Sequence, residues 1–288
     1  MALITEHPFQ GDGKPIIYLV ATPIGNLGDM SSRAEEILKT ADIIACEDTR
    51  VTSALLSLKD IKAKRLVSCY SQKEKEESIR LVQEVKERHL LLAFVSDAGT
   101  PGISDPGALL VKAAIEQGIP VSFVPGPTAF TSALIMSGFD TADFSFYGFL
   151  PVKKSARKDF LSNLKEREES LIFYEAPHRL KEALQDMKEI FGEERNVCLA
   201  RELTKIHEEY TRGTLKEVYE SESLTLLGEF VIVIEGFQKK DVEFNEEEII
   251  KSAKRMIKDG KRKTEISKEL AAIYKVPKNQ IYKLIQDL

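Results

Sequence analysis

The chain has 288 residues, 43% of them hydrophobic and 30% charged, with a net charge of −5, which is the balance of a soluble globular protein. Its apolar runs all fall short of the roughly 18–20 residues a membrane helix needs, so no membrane-spanning segment is expected. The first 15 residues have neither the basic start nor the apolar stretch of a secretory signal. Cys46, Cys69 and Cys198 are odd in number, far apart and outside any C-x-x-C pair. That pattern excludes a zinc site of ordinary spacing and points to buried, reduced thiols in a cytoplasmic protein. Length allows two domains and an appendage, and the charge is divided accordingly. From Lys251 onward eleven Lys and Arg stand against four acids, a net +7, which leaves −12 on residues 1–250. A basic module attached to an acidic body is the expectation.

In chain order, residues 16–21 read as a first strand, ended by Pro23 and a loop containing Gly25 and Gly28. Ser32 with Glu35 has capping-box spacing and opens a helix to about residue 39. A strand over 42–46 runs into the polar cluster Glu47-Asp48-Thr49-Arg50, followed by a helix over about 51–58, a strand over 65–69 and a charged helix over about 74–88. The apolar run 90–95 has the composition of a parallel strand buried on both faces. It feeds the loop 96–107, SDAGTPGISDPG, whose three glycines allow sharp turns and close approach of a ligand. Pro101 and Pro106 stiffen the same loop, and Asp105-Pro106 reads as an N-cap and first residue of the next helix. It lacks Gly-Lys-Ser/Thr and G-x-G-x-x-G, which excludes the usual nucleotide-phosphate loops. A structural turn would account for one such loop alone; the density of Gly, Pro, Asp and Ser favours a ligand.

A strand over 121–124 leads to a second Gly/Pro loop, Pro125-Gly126-Pro127, and a helix over about 128–136. A new cycle begins with a strand over 144–149 and the basic run Lys153-Lys154-Ser155-Ala156-Arg157-Lys158. A strand over 171–174, a helix to about 190, and strands over 197–200 and 230–235 complete the body. The alternation predicts an α/β fold of two domains, 14–126 and 127–238, the second more mixed in strand direction. After a polar linker, helical patterns over 246–258, 263–272 and 277–285 suggest a helix-turn-helix-like module at 245–288.

Six motifs occur in order: ATPIGNLGD (21–29), EDTR (47–50), the 96–107 loop, PGP (125–127), GFLP (148–151) and YEAPHR (174–179). Together they resemble the ribosomal RNA small subunit methyltransferase I family, which 2′-O-methylates a cytidine of 16S rRNA and lies in the tetrapyrrole-methylase-like superfamily. The likeness spans about residues 14–237. It implies two α/β domains with the ligand cleft between them, a homodimer, and S-adenosylmethionine as methyl donor without a metal. Carried onto this chain, the donor site would comprise Pro23, Ser96, Asp97, Ala98, Gly99, Ile103, Ser104, Thr128 and Ala129, closed by Tyr174, Leu199 and Ala200.

Methyl transfer from a sulfonium is an in-line displacement that neutralises charge, so alignment matters most, with help for the proton of the attacking hydroxyl. Candidate bases and cations are Asp48, Arg50, Glu175, His178, Arg179, Arg201, Glu202, Lys205 and Glu208, although each could equally be an ion pair or cap that fixes the interface between domains. Lys153, Lys154, Arg157 and Lys158, with Lys261, Arg262 and Lys263 in the tail, are the expected RNA contacts. Two other readings stand beside this one: a tetrapyrrole C-methyltransferase of the same fold, and a non-catalytic RNA-binding assembly factor.

Overall fold

The computed structural model describes residues 14–70, 74–238, 246–274 and 276–288. The first 13 residues, most of the expected linker and Lys275 lie outside the described residues.

Five strands, β1 (Ile16–Val20), β2 (Ile43–Cys46), β3 (Leu66–Ser68), β4 (Leu91–Val95) and β5 (Val121–Val124), form one sheet in the order β3-β2-β4-β1-β5. Every pairing in it is parallel. The strand alternation sends Ile16, Tyr18 and Val20 to one face, against α1 (Ser32–Thr40) and α2 (Thr49–Leu58). Ile17 and Leu19 go to the other, against α3 (Glu74–Arg88) and α4 (Ala108–Glu116). Burial of both faces is why these strands are apolar throughout.

Two caps differ from expectation. Helix α1 is capped by Ser31, whose hydroxyl accepts from Ala34 N at 3.1 Å, while Glu35 pairs with Lys59 at 2.8 Å. Helix α4 is not capped by Asp105: its N-cap is Gly107, at φ 136°. The free amides of Gly107 and Leu109 both donate to Glu74 Oε1 on α3, at 2.7 and 3.1 Å. A carboxylate brought in by the fold does the work that a local side chain was expected to do.

The second sheet follows α5 (Ala129–Ser137) and is built from β6 (Phe144–Phe149), β7 (Ser170–Glu175), β8 (Asn196–Arg201), β9 (Glu209–Thr214) and β10 (Phe230–Ile234), in the order β6-β7-β10-β8-β9. Only β6–β7 is parallel; the other pairings are antiparallel. Helices α6 (Lys154–Ser162), α7 (Pro177–Phe191) and α8 (Leu215–Glu220) cover one face, and α5 covers the other. Strand β9 and helix α8 were not anticipated, because EYTRGT is polar and half-exposed. The clue was the T-x-x-E spacing of Thr214 and Glu217, which form a capping box.

The described residues up to Phe237 form one compact unit and those from Gln238 a second. In the second, α9 (Glu246–Lys258), α10 (Lys263–Ile273) and α11 (Lys278–Ile285) close around Ile249, Ala253, Ile266, Leu270, Ile281 and Ile285. Among the described residues, no helix is long and apolar enough to cross a membrane.

Candidate active site

The 96–107 loop leaves β4 and is tied down from within. Ser96 is buried, and its hydroxyl reaches the carbonyls of Ala98 and Gly99, both at 3.3 Å. Gly99 and Thr22 exchange both backbone hydrogen bonds, at 2.9 and 3.1 Å, which joins the loop to the end of β1. Gly99 has φ +78°, and a Cβ there would stand 3.0 Å from Ile24 Cγ2, so glycine is required for both conformation and space. Thr100 Oγ1 lies 2.7 Å from Thr128 Oγ1 and 3.2 Å from Pro127 O, lashing the second Gly/Pro loop to the first.

Against this loop lies a cavity of about 450 Å³, well within the range of small-molecule sites. Asp97, Ala98, Gly99, Ile103, Ser104, Thr128 and Ala129 line one side; Tyr174, Glu175, Ala200, Leu203, Glu229 and Val231 line the other. Its charged lining is acidic only: Glu47, Asp97, Asp105, Glu175 and Glu229, with no lysine, arginine or histidine. Burial pushes the Glu47 carboxyl up, and Asp105, Asp97, Asp48 and Glu74 push it further. Burial and then Asp97 raise Asp105 likewise, and burial lifts Tyr174 to about 12. Lys205 and Arg179, outside the lining, pair with Glu229 and Glu175, but Glu47, Asp97 and Asp105 together still make a field that favours a positively charged ligand.

The wall opposite the loop is held by side-chain charge. Lys205 Nζ lies 2.9 Å from both Glu202 Oε1 and Glu229 Oε2, and Glu229 N donates to Glu202 Oε1 at 3.0 Å. Burial works against the Lys205 ammonium, but the two carboxylates outweigh it and raise its pKa. Arg201 donates to Leu227 O at 2.7 Å and pairs with Glu209 at 3.0 Å. Glu202 and Thr204 sit at φ 49° and 66°, left-handed positions sustained by these contacts and by Glu208, which accepts from Thr204 N at 2.6 Å.

Of the residues the family resemblance assigns to the donor, nine line the cavity. Ser96 braces the loop from behind and Pro23 lies outside the lining. Leu199 is a correction: on β8 it faces the core shared with Phe173, Leu184 and Ile232, one step of strand alternation away from cavity-lining Ala200. Among the nine candidate bases and cations, Glu175 alone lines the cavity. Its carboxylate is nonetheless fully buried: it accepts from Ala176 N at 2.9 Å and lies 3.2 Å from Arg179 Nη2. That Nη2 is aimed at Leu150 O, 2.7 Å away, so Glu175 Oε2 is left without a hydrogen bond. Asp48 caps α2 and pairs with Arg50, whose hydrogen bonds hold its pKa down to about 2. His178 is exposed in the first turn of α7.

Among the expected RNA contacts, Lys153 and Lys154 are exposed at the start of α6. Arg157 is a second correction. It is 1% exposed and pairs with the equally buried Asp186 at 2.8 Å and with Glu182 at 3.3 Å, locking α6 onto α7. Lys158 is held by Glu189 and lies 3.7 Å from Asp186. In the C-terminal unit Lys261 pairs with Glu269 at 2.7 Å, Lys263 donates to Gln286 O, and Arg262 N-caps α10. Lys251, Lys254, Arg255 and Lys258 are exposed at helical spacing on α9 instead.

Sequence reasoning gave no site role to Glu47, Asp105, Phe149, Leu203, Gly228 and Glu229, all of which line the cavity. Glu47 stood one residue from a chosen candidate and Phe149 inside a quoted motif; Gly228-Glu229 carried no local signal. No group of three or more metal-ligating side chains occurs among the described residues.

Residues 16–219 match the family model of tetrapyrrole (corrin/porphyrin) methylases. The chain is 45% identical to the ribosomal RNA small subunit methyltransferase I of Halalkalibacterium halodurans over 96% of both chains. It is 44% identical to the enzyme of the same name from Synechocystis over 95% of this chain and 98% of that one. Among solved structures, uroporphyrin-III-C-methyltransferase from Thermus thermophilus superposes with a TM-score of 0.54 at 20% identity, over 77% of this chain and 94% of that one, a likeness of fold.

Proposed function

Since the chain belongs to the ribosomal RNA small subunit methyltransferase I family within the tetrapyrrole methylases, and is thus a methyltransferase, we propose that it methylates a cytidine 2′-hydroxyl of 16S rRNA in the small ribosomal subunit, with S-adenosylmethionine as donor. The observation that carries the donor assignment is the cavity whose charged lining is acidic alone. S-adenosylmethionine bears a sulfonium and an ammonium against one carboxylate and has no phosphate, so it needs acids and backbone groups rather than a lysine cradle. Asp97 and the amides of the 96–107 loop would hold its polar parts, and Ile24, Ala129, Leu203 and Val231 offer apolar surface.

Bound there, the donor supplies a methyl group on a sulfur that leaves as a neutral thioether. The protein's share is alignment in a site shielded from water. Glu47 and Asp105, with carboxyls raised toward the basicity such a step needs, are the groups placed to take the hydroxyl proton. Arg179, Arg201, Glu202 and Lys205 act by holding the walls. Lys153 and Lys154, together with the α9 stripe, supply phosphate contacts. The same reading includes a homodimer working in the cytoplasm.

A tetrapyrrole acceptor is disfavoured by the basic C-terminal unit, which a small macrocycle does not need. The test is radiolabelled methyl transfer to small subunits from cells lacking this protein, set beside transfer to uroporphyrinogen. Label in ribose of the 16S rRNA, together with an Asp97→Asn variant that binds S-adenosylmethionine at least tenfold more weakly by calorimetry, is the expected result. Label in the macrocycle alone, or no donor binding by the wild type, overturns it.

A further inference from the structure

Two apolar side chains stand in solvent at the mouth of the cavity. Phe149, the last residue of β6, is 60% exposed and Ile103 is 45% exposed, and both line the cavity. They arrive from different sheets yet meet at one rim: a Cβ on Gly148 would lie 3.7 Å from Ser104 Oγ.

The fold holds Phe149 outward. The β6–β7 register shifts between Phe146 and Phe149, and Gly148 takes φ +65°; such a bulge re-aims the side chain that follows it. The ring then meets Tyr174 in a T-shaped contact, with centroids 5.6 Å apart and planes at 65°, and most of it stays open to solvent. Just beyond it the chain is pinned by Arg179 Nη2, which donates to Leu150 O at 2.7 Å and Pro151 O at 3.3 Å. Arg179 is in turn set by buried Glu175. Next come Val152, 77% exposed, and then Lys153 and Lys154, neither of which forms a salt bridge among the described residues.

An exposed, rigidly aimed aromatic ring followed by two unpaired lysines is how proteins hold unstacked nucleotides: the ring takes the base and the cations take the phosphates. An enzyme that reacts at the ribose of one nucleotide gains alignment by holding that nucleotide's base, as enzymes that act on bases hold theirs out of the stack. We propose that Phe149, with Ile103 across the mouth, is the stacking platform for the base of the acceptor nucleotide, whose flanking phosphates meet Lys153 and Lys154. The inference rests on the RNA reading above and assigns a substrate-positioning role to a motif that carried none. It also gives the buried Glu175–Arg179 pair a purpose, which is to fix the backbone that presents the ring.

The experiment is steady-state methylation of unmodified small ribosomal subunits by Phe149→Ala, Phe149→Leu and Phe149→Trp, alongside S-adenosylmethionine calorimetry on each. Stacking of one base is expected to appear as an approximately tenfold rise in KM for subunits in the Ala and Leu variants, with recovery in Trp. Donor affinity should stay within about twofold throughout. Leu keeps apolar bulk against Tyr174, so a KM rise in Leu with intact donor binding cannot come from a collapsed wall. Unchanged KM in both Ala and Leu overturns the proposal. So does a loss of donor affinity that matches the loss of subunit affinity, which would make Phe149 part of the donor pocket. Failure of the wild type to methylate subunits at all is a different result, and strikes the functional reading rather than the platform.

Discussion

The two walls of the cavity are built on different principles. One, the 96–107 loop with its anchor at Thr22, is held by backbone hydrogen bonds, a left-handed glycine and hydroxyls that reach carbonyls. The other, residues 201–208 with Glu229, is held by Lys205 between two carboxylates and by Arg201. Backbone pairing is indifferent to pH and salt; ion pairs on a half-exposed wall are sensitive to both. The first wall is therefore a fixed template, and the second is the one that conditions can loosen.

The largest effect should come from breaking the template. Gly99→Val puts a β-branched residue at φ +78° and its Cβ 3.0 Å from Ile24 Cγ2. A left-handed residue costs roughly 1–2 kcal/mol even without a clash, and the Thr22 ladder must shift to relieve the contact. Donor affinity is expected to fall at least 100-fold by calorimetry while far-UV circular dichroism still shows a folded chain. Affinity within threefold of wild type would mean that the loop is not the template.

Gly25→Ala tests the seam where the two walls touch. Its Cβ would fall 2.4 Å from Lys205 Cγ and 3.0 Å from the Leu203 carbonyl. The lysine methylene can swing away; the carbonyl belongs to the strained 202–204 backbone and yields less readily. Roughly tenfold weaker donor binding is expected, and affinity equal to wild type would show that this wall moves freely.

Titration sharpens the contrast from the acid side. Glu47 and Asp105 have raised pKa values in the folded protein, so they stay protonated to higher pH than ordinary carboxyls. A cationic donor prefers them ionised, and its affinity should rise several-fold as pH climbs through their raised range and then level off. Their contribution to folding has the opposite sign. It is fully present below the unfolded carboxyl pKa and is lost as pH rises through the folded one. Calorimetry from mildly acid to neutral pH is the check, with Asp105→Asn expected to flatten the curve. A rise of unchanged size in that variant would assign the titration elsewhere.

How much of this was legible in the chain follows the same division. The template wall was readable because its determinants are local: an apolar strand, then Gly, Pro, Ser and Asp in one run. Ile16–Val20 and Leu91–Val95 announce a parallel sheet for similarly local reasons. Glu229 and Leu203 were not readable, because what brings them to the cavity is the antiparallel insertion of β10 between β7 and β8, which no short motif encodes. Arg157 was misplaced for a related reason. In the run KKSARK it looks like its neighbours, and only the packing of α6 on α7 turns it toward Asp186. Asp105 looked like a cap until Glu74, thirty-one residues earlier in sequence, took that role.

The smallest effect, and the most diagnostic of how the second wall is made, belongs to Lys205→Met. Methionine keeps the aliphatic stem and removes the charge that holds Glu202 and Glu229 together. The side chain is 30% exposed, so the loss should be modest, about 1 kcal/mol in stability. Glu202 and Glu229 would then repel each other beside an acidic cavity, opening the wall while leaving the loop intact. Donor binding is expected to weaken about three- to fivefold at low salt. Raising the salt should bring the wild type down toward the variant, because screening weakens the bridge that the mutation deletes. In Gly99→Val, whose defect is steric and whose Lys205 bridge is intact, added salt should leave the ratio to the wild type nearly unchanged. If the wild type and Lys205→Met kept the same ratio from low to high salt, the second wall would be held by packing, and the distinction between template and ion-pair wall would fail.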